Sequence, residues 1–257
     1  MRKRAVVLIP CYNEEGRIGA VVRSVRERAP DLDVAVINDA SCDASAAEAA
    51  SAGACVLSHG CNLGYGAALE TGYLYALRRG YDYALQMDGD GQHPAAELAA
   101  LRKPVEDGAA DIVIGSRYSA GEATEASSPL RRAGHSIFSL AIRLLTGLRL
   151  SDPTSGFQAL TRRALELFTS GVFPCDYPDS DVILMSRLAG LSVVEVPVTM
   201  KPRSGGQSMH AGLRPIYYVA KMLLSMFVVV LNVHTWRRWR SRLATAEATG
   251  RGCRPCY

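Results

Sequence analysis

Two aspartates separated by one glycine follow an apolar segment in LQMDGDGQHP, residues 85–94. Two carboxylates this close, Asp88 and Asp90, repel each other unless a cation lies between them. Mg²⁺ and Mn²⁺ prefer hard oxygen ligands, and Mg²⁺ is typically bound by one or two carboxylates together with substrate phosphates. Gln92 could add a neutral oxygen ligand, and the neighbouring glycines allow the backbone to turn close to a phosphate. The alternative is an Asp-Gly turn in which the second aspartate is only solvated.

Short apolar segments alternate with helical patterns through the first half of the chain. This alternation predicts an α/β fold with a parallel sheet covered by helices on both faces. In such sheets the ligand crevice lies beyond the carboxyl ends of the strands. Polar or charged groups follow four predicted strands, which indicates a single ligand-binding rim: PCYNE at 10–14, ND at 38–39, DGD at 88–90 and GSRY at 115–118.

Other positions at this rim allow two interpretations each. Asp39 could accept hydrogen bonds from a nucleobase or ribose, or cap the following helix. Binding is favoured because Asp43 is better placed for that cap. Glu14 could line a site or stabilise the N-terminus of its own helix. The stretch NLGYGAALETG, residues 62–72, lacks GxGxxG spacing and fits a helix-capping loop at least as well as a ligand contact.

Composition narrows the class of protein. A net charge of +4, with its basic cluster short and terminal, argues against a nucleic-acid-binding protein. Seven scattered cysteines suit a reducing, cytosolic compartment. The basic N-terminus resembles a signal peptide, but the apolar run at 5–9 is too short for one.

An apolar segment at 215–233 precedes a cluster of arginines and two tryptophans. As a helix it would extend about 28 Å, which is marginal for crossing a bilayer. Lys221, Ser225 and Asn232 argue against a comfortable span, so an interfacial amphipathic helix is preferred over a buried core helix or a single span. The predicted organisation is therefore a main domain at 1–212, a membrane-associated helix at 213–235 and a basic, disordered tail at 236–257.

Six motifs occur together in one order: IPCYNEE (9–15), INDASCD (37–43), MDGDGQHP (87–94), GSRY (115–118), DPTSGF (152–157) and RSGGQSM (203–209). From residue 5 to about residue 232 the chain resembles an inverting glycosyltransferase of family 2 with the GT-A fold. Within that family it looks most like the dolichol-phosphate mannose synthase-like branch, the polyprenyl-phosphate sugar transferases. The resemblance implies a nucleotide-sugar donor, a divalent metal and inversion at the anomeric carbon.

The resemblance also implies roles for individual residues. The nucleotide pocket would be lined by Pro10, Tyr12 and Glu14, with Asp39 on the base or ribose. The metal, Mg²⁺ or Mn²⁺, and through it the diphosphate, would be bound by Asp88, Asp90 and Gln92. The acceptor side would include Arg117 and Ser155, while Arg203 and Ser208 would close over the phosphates. Many relatives have two acids where this chain has Asn38-Asp39, so the first of these contacts is expected to be a neutral hydrogen bond.

The nature of the acceptor decides what the remaining residues must do. A lipid phosphate is already anionic and needs positioning rather than a general base, which arginines can provide. Arg131 and Arg132 suit that role with Arg117 and Arg203, if the loop at 119–129 acts as a lid; otherwise they are surface charges.

Three functions stay open at this point. The first is transfer from GDP-mannose or a UDP-sugar to a polyprenyl phosphate by an enzyme peripheral to the cytoplasmic face of the membrane. The second is transfer to a hydroxyl of a soluble glycan or natural product, which needs a base. Asp179 and Asp181 are candidates for it, although both could simply stabilise a helix N-terminus. The third is a catalytically silent nucleotide-sugar-binding protein.

Overall fold

The computed structural model describes residues 3–118, 129–174, 178–201 and 214–249, without the side chains of 129–135, 214–217 and 242–249. The seven strands are β1 (Ala5–Cys11), β2 (Asp33–Asn38), β3 (Cys55–Ser58), β4 (Tyr83–Gln86), β5 (Ile112–Ser116), β6 (Gln158–Thr161) and β7 (Val193–Pro197). The α-helices are α1 (Ile18–Arg28), α2 (Ser45–Ser51), α3 (Tyr65–Arg78), α4 (Leu98–Glu106), α5 (Pro129–Thr146), α6 (Arg162–Phe168), α7 (Ser180–Leu188), α8 (Arg214–Leu231) and α9 (Val233–Thr249).

The strands form one sheet in the order β3-β2-β1-β4-β6-β5-β7. All neighbouring pairs are parallel except those of β6, which is antiparallel to both β4 and β5. The predicted α/β fold with a mostly parallel sheet is confirmed. The antiparallel strand β6 and helix α6 were not predicted.

The core lies on both faces of this sheet. Val6 and Leu8 of β1 pack into the larger cluster together with α3, α5, α7 and α8, whereas Val7 and Ile9 pack against α1 and α4. Successive side chains of a strand point to opposite faces, so a strand covered on both sides must be apolar throughout. This is why β1 reads as an uninterrupted apolar run.

The topology brings five of the sequence motifs to one edge of the sheet. The parallel strands β1, β2, β4 and β5 all end there. Strand β6 begins there because it runs the other way, with Gln158 paired to Gln86 and to Ile114. The loop before β6 is the DPTSGF motif, and its Phe157 carbonyl accepts a hydrogen bond from the Gly115 N–H at 2.8 Å. The motif is thereby fixed between the DGD and GSRY segments.

The C-terminal part of the chain differs from the expected disordered tail. Residues 233–249 form helix α9, and the Trp236 side chain is buried and donates from Nε1 to the Val229 carbonyl at 2.6 Å. Burying an indole ring with its N–H satisfied stabilises the packing of this basic segment at the end of α8. The remainder of the predicted tail, from 250 onward, lies outside the described residues.

Helix α8 has a buried face, as expected of a core helix, and an exposed apolar face, as expected of an interfacial helix. Met222 and Met226 are buried in the core, while Leu224 and Phe227 are exposed. In the described part of the chain, no helix by itself is both long and apolar enough to cross a membrane. Tyr218–Leu231 and Val233–Ser241 reach that length only together, as a pair bent by 57°.

Candidate active site

The site is centred on Asp88, two residues after the end of β4. Tyr65, the first residue of α3, donates from its hydroxyl to Asp88 Oδ1 at 3.1 Å. Burial, and then the charge of Asp88, raise the pKa of Tyr65 well above its ordinary value, so the phenol keeps its proton. Gly156 lies against both groups, because a Cβ there would be 3.1 Å from the Tyr65 hydroxyl and 3.5 Å from Asp88 Oδ1.

His93 fixes the turn that carries the two aspartates. The Asp88 N–H donates to His93 Nδ1 at 2.9 Å, which places the ring proton on Nε2. The His93 ring is buried and stacks on Phe157, with centroids 4.7 Å apart and planes 9° apart. His93 and Phe157 therefore couple the DGD turn to the DPTSGF loop.

Asp90 and Gln92 follow in the same turn. The Gln92 N–H donates to Asp90 Oδ1 at 3.0 Å, and the Gln92 carbonyl accepts from the Lys201 N–H at 2.9 Å. These bonds place the turn beside the start of the segment that leads to RSGGQSM. Arg203 and Ser208 of that segment lie outside the described residues.

The donor set at this turn suits a divalent cation only if the substrate supplies further ligands. Among the residues that the structure describes, no cluster of three or more His, Cys, Asp or Glu side chains could bind a metal. Two carboxylates completed by phosphate oxygens are a usual arrangement for Mg²⁺. The residues present therefore fit Mg²⁺ or Mn²⁺ bound jointly with a diphosphate.

Asp39 lies at the rim after β2, and its carboxylate is bonded within the protein. Oδ1 accepts from His59 Nδ1 and from the Leu63 N–H, and Oδ2 accepts from the Gly64 N–H, each at 2.8 Å. Burial acts to raise the pKa of Asp39, but these hydrogen bonds outweigh it and keep the pKa below its ordinary value. Asp39 thus ties the end of β2 to the loop before Tyr65.

The residue that bonds at the start of the following helix is Asp43 rather than Asp39. Asp43 Oδ1 accepts from the Ser45 N–H at 3.0 Å at the start of α2. The contact of Asp39 with a base or ribose stays a prediction. The stretch at 62–72 provides both a loop that bonds to Asp39 and, in Tyr65, a contact to Asp88.

The other residues expected at the nucleotide lie at the end of β1. Pro10 is paired with Ile37 in the sheet, and the Tyr12 side chain is exposed. The Glu14 carboxylate is 2.7 Å from Arg17 Nε at the start of α1. This ion pair agrees with a helix-stabilising role for Glu14, and the role of all three at a nucleotide stays a prediction.

Arg117 is bound by a buried carboxylate. Its Nε and Nη2 donate to Asp152 Oδ2 and Oδ1, at 2.7 and 2.9 Å, in a two-pronged pair. Asp152 is itself fixed, because its N–H donates to Glu195 Oε1 at 2.7 Å. Ser155, expected on the acceptor side, is buried and donates its hydroxyl to the Gly115 carbonyl at 2.6 Å. The structure thus gives Ser155 a bond that fixes the loop, and its contact with an acceptor stays a prediction.

Two acids at the start of α7 bond to hydroxyls of α8. Asp179 accepts from the Tyr218 hydroxyl, and Asp181 from the Ser225 hydroxyl. Burial, followed by the charges of Asp181, Asp152 and Asp88, raises the pKa of Asp179 to about 7, although the Tyr218 hydrogen bond opposes this shift. Asp179 is therefore within electrostatic reach of Asp88.

Several residues that shape the site were not singled out from the sequence: Tyr65, His93, Asp152 and Glu195. His93 and Asp152 lie inside recognised motifs and Tyr65 lies in the stretch at 62–72, which were available signals, whereas Glu195 carries none. Arg131 and Arg132 lie in the first turns of α5, and their side chains are outside the described residues. So are residues 119–128 of the expected lid.

The chain was compared with known proteins. It is 35% identical to polyprenol monophosphomannose synthase of Mycolicibacterium smegmatis over 219 residues, 82% of each chain. It is 33% identical to undecaprenyl-phosphate mannosyltransferase of Micrococcus luteus, over 81% of this chain and 88% of the relative.

The fold is found again in solved structures. Glucosyl-3-phosphoglycerate synthase from Mycobacterium tuberculosis, crystallised with Mn²⁺ and UDP-glucose, matches 87% of this chain and 79% of its own, with a TM-score of 0.66 and 21% identity. This likeness confirms the expected GT-A fold. The model of the family described as Glycosyl transferase family 2 matches residues 6–168. The chain belongs to glycosyltransferase family 2.

Proposed function

We propose that this protein is a metal-dependent inverting glycosyltransferase that moves a sugar from a nucleotide donor, GDP-mannose or a UDP-sugar, to a polyprenyl phosphate at the membrane. The observation that carries the proposal is that the acids at the rim are joined to a helix with an apolar outer face. Asp179 accepts a hydrogen bond from Tyr218 of α8. The next residue, Ser180, donates its hydroxyl to the Pro153 carbonyl at 3.5 Å, in the same DPTSGF loop whose Gly156 lies against Asp88. The names of the two relatives support a phosphorylated polyprenol as the acceptor.

On the donor side, Asp88 and Asp90 would bind the cation together with the diphosphate, and Gln92 could add an oxygen. A bound Mg²⁺ or Mn²⁺ supplies Lewis-acid neutralisation of the departing nucleoside diphosphate. The protein fixes the turn in advance through Tyr65 and His93. Such preorganisation favours the transition state because the ligands need not reorder during the reaction.

On the acceptor side, Arg117 would position the lipid phosphate. Asp152 accepts from two of its N–H groups, and a guanidinium has five, so others remain to contact a phosphate. Because the pair with Asp152 fixes the plane of the guanidinium, those donors have a defined direction. Arg131, Arg203 and Ser208 are proposed to complete the phosphate contacts.

The membrane contact is proposed to be the outer face of α8. Leu224 and Phe227 are 63% and 58% exposed. Arg237 and Arg238 of α9 are exposed next in the chain. Apolar side chains beside arginines suit the headgroup level of an anionic bilayer. The protein would bind there peripherally, on the cytoplasmic face, where nucleotide sugars are found.

The proposed reaction is tested by incubating the protein with individual nucleotide sugars, Mn²⁺ or Mg²⁺ and a short polyprenyl phosphate. We expect labelled sugar in the organic phase with one donor, and loss of that product by orders of magnitude in Asp88→Asn. Asp107→Asn, an exposed substitution at the C-terminal end of α4, is the matched control and should transfer normally. Absence of lipid product with every donor would contradict the proposal, and absence of donor turnover of any kind would indicate a silent binding protein.

A second candidate, transfer to a hydroxyl of a soluble acceptor, is favoured by one observation. A general base needs a pKa near the working pH, and the pKa of Asp179 is about 7. Asp181 is less suitable because its carboxylate accepts from Ser225 and from the N–H groups of Asp179 and Val182. Asp179→Asn should abolish transfer to a hydroxyl, whereas transfer to a lipid phosphate should survive at a reduced rate.

The membrane contact has its own test, flotation of the protein with phosphatidylcholine vesicles that contain or lack phosphatidylglycerol. We expect binding to the anionic vesicles and its loss in the double variant Leu224→Glu/Phe227→Glu. The matched control is Ala50→Glu/Ser51→Glu, which adds the same charge at exposed positions of α2. Equal loss in both variants would mean that charge alone, rather than the apolar face, governs binding.

A further inference from the structure

A chain of hydrogen bonds runs from the core of the protein to Asp88. The Tyr73 hydroxyl donates to Gln86 Oε1 at 2.5 Å, and Gln86 Nε2 donates to the Tyr65 hydroxyl oxygen at 3.3 Å. The Tyr65 hydroxyl then donates to Asp88 Oδ1 at 3.1 Å. Tyr73 and Gln86 are both buried.

The donor and acceptor roles in this series of hydrogen bonds are set by the Gln86 amide and the Asp88 carboxylate. An ionised carboxylate only accepts and an amide nitrogen only donates, so the Tyr65 oxygen receives its hydrogen bond from Gln86 and directs its own proton to Asp88. Buried hydrogen bonds aligned in this way strengthen one another. The polar groups of Gln86 are thereby satisfied within the core, and its amide nitrogen would lose this acceptor without the Tyr65 hydroxyl.

These hydrogen bonds end on a carboxylate that is partly exposed to solvent. The Asp88 side chain is 34% exposed and its backbone N–H is bonded to His93. The Tyr65 bond fixes Oδ1, and Gly156 leaves just enough space for the phenol to reach it. Oδ2 lies 3.8 Å from His93 Nε2, which is beyond hydrogen-bond distance.

We propose that Tyr65 is a positioning residue for the cation site: its hydroxyl fixes one oxygen of Asp88 and directs the other toward a divalent metal. The inference rests on the proposed function, since it presumes that Asp88 is a metal ligand. A ligand ordered before binding loses less conformational entropy when the cation arrives, so the affinity for the cation rises.

The test is direct binding of Mn²⁺, followed by the electron paramagnetic resonance signal of unbound Mn²⁺, with saturating GDP and separately with UDP. Tyr65→Phe should weaken Mn²⁺ binding by about three- to ten-fold, the equivalent of one net hydrogen bond. The matched control is Tyr81→Phe, because Tyr81 also donates to an aspartate, Asp33, at 2.7 Å, but at the start of β2 and away from the rim. It should leave Mn²⁺ affinity unchanged.

A second variant perturbs the same phenol without removing it. In Gly156→Ala the new methyl group would lie 3.1 Å from the Tyr65 hydroxyl and at ordinary contact distance, 3.5 Å, from Asp88 Oδ1. The phenol must then move by a few tenths of an ångström, and Mn²⁺ should bind more weakly than in the wild type. Wild-type affinity in both Tyr65→Phe and Gly156→Ala would overturn the role of Tyr65 while the proposed function stands. If the wild type binds no Mn²⁺ with either nucleotide, the metal-dependent function fails and the inference with it.

Discussion

Replacing Asp152 by Asn tests whether a buried ion pair fixes Arg117 at the rim. The Asp152 side chain is fully buried and that of Arg117 is 20% exposed, so water cannot replace the lost partner effectively. Burial of the guanidinium acts to lower the pKa of Arg117, but the hydrogen bonds and the charge of Asp152 outweigh it and raise that pKa. The substitution keeps the shape of the side chain and removes its charge.

The size of the effect follows from this geometry. Removing one partner of a buried pair typically costs about 3–5 kcal/mol because the other charge stays unpaired. Asparagine still offers one acceptor oxygen but turns an NH₂ group toward a guanidinium donor, so we expect about 3 kcal/mol. For a chain of this size that loss lowers Tm by roughly 6–12 °C.

The assay is thermal unfolding followed by circular dichroism at neutral pH. Asp107→Asn is the control, because the Lys103–Asp107 pair joins exposed side chains and its loss should leave Tm unchanged. The double variant Arg117→Met/Asp152→Asn should recover part of the loss, since no buried charge is then unpaired. A Tm for Asp152→Asn equal to that of the control would refute the reasoning.

Three further predictions concern stability. Asp39→Asn should lower the free energy of unfolding in urea by about 2 kcal/mol at pH 7, because a charged acceptor of two backbone N–H groups is lost. Since the folded-state pKa of Asp39 is below its unfolded value, the difference should vanish as pH falls through that lower pKa. For Asp179 the change of stability with pH has the opposite sign, because its folded pKa of about 7 exceeds the unfolded value. Wild-type stability should therefore decline from about pH 4 to pH 7 and then level off. Asp179→Asn should remove that decline in melts at pH 5 and pH 8. Trp236→Ala should cost about 3–5 kcal/mol and speed hydrogen exchange in α8 and α9, whereas a change below about 1 kcal/mol would mean that α9 is not docked.

The first half of the fold could be predicted because its central strands are covered on both faces. Such strands are apolar at every position, so β1 and β2 stand out from the helical patterns between them. Strand β6 did not, because QALT shows neither an apolar run nor an apolar–polar alternation and is a strand only through its partners β4 and β5. Helix α9 was missed because its basic composition obscures the two tryptophans, Trp236 and Trp239, that pack against the core.

The position of the carboxylates at the rim was also predictable, because parallel strands end on the same edge of a sheet. Their partners were not. Tyr65 is 23 residues from Asp88, and Asp152 is 35 residues from Arg117. These contacts depend on how α3 and the loop before β6 pack on the sheet, which no local pattern records. The sequence therefore predicts where the carboxylates lie, but not the groups that orient them.

The polar residues that interrupt the apolar segment of α8 decide how that helix can meet a membrane. Tyr218 and Ser225 are seven residues apart, two helical turns, and so lie on one face. Both bond to acids at the start of α7, which fixes this face against the catalytic domain. A helix surrounded by lipid could not make these contacts. The opposite face, with Leu224 and Phe227, is exposed to solvent. Under the proposed function this exposed face would meet the bilayer, while the inner face orders the acids Asp179 and Asp181.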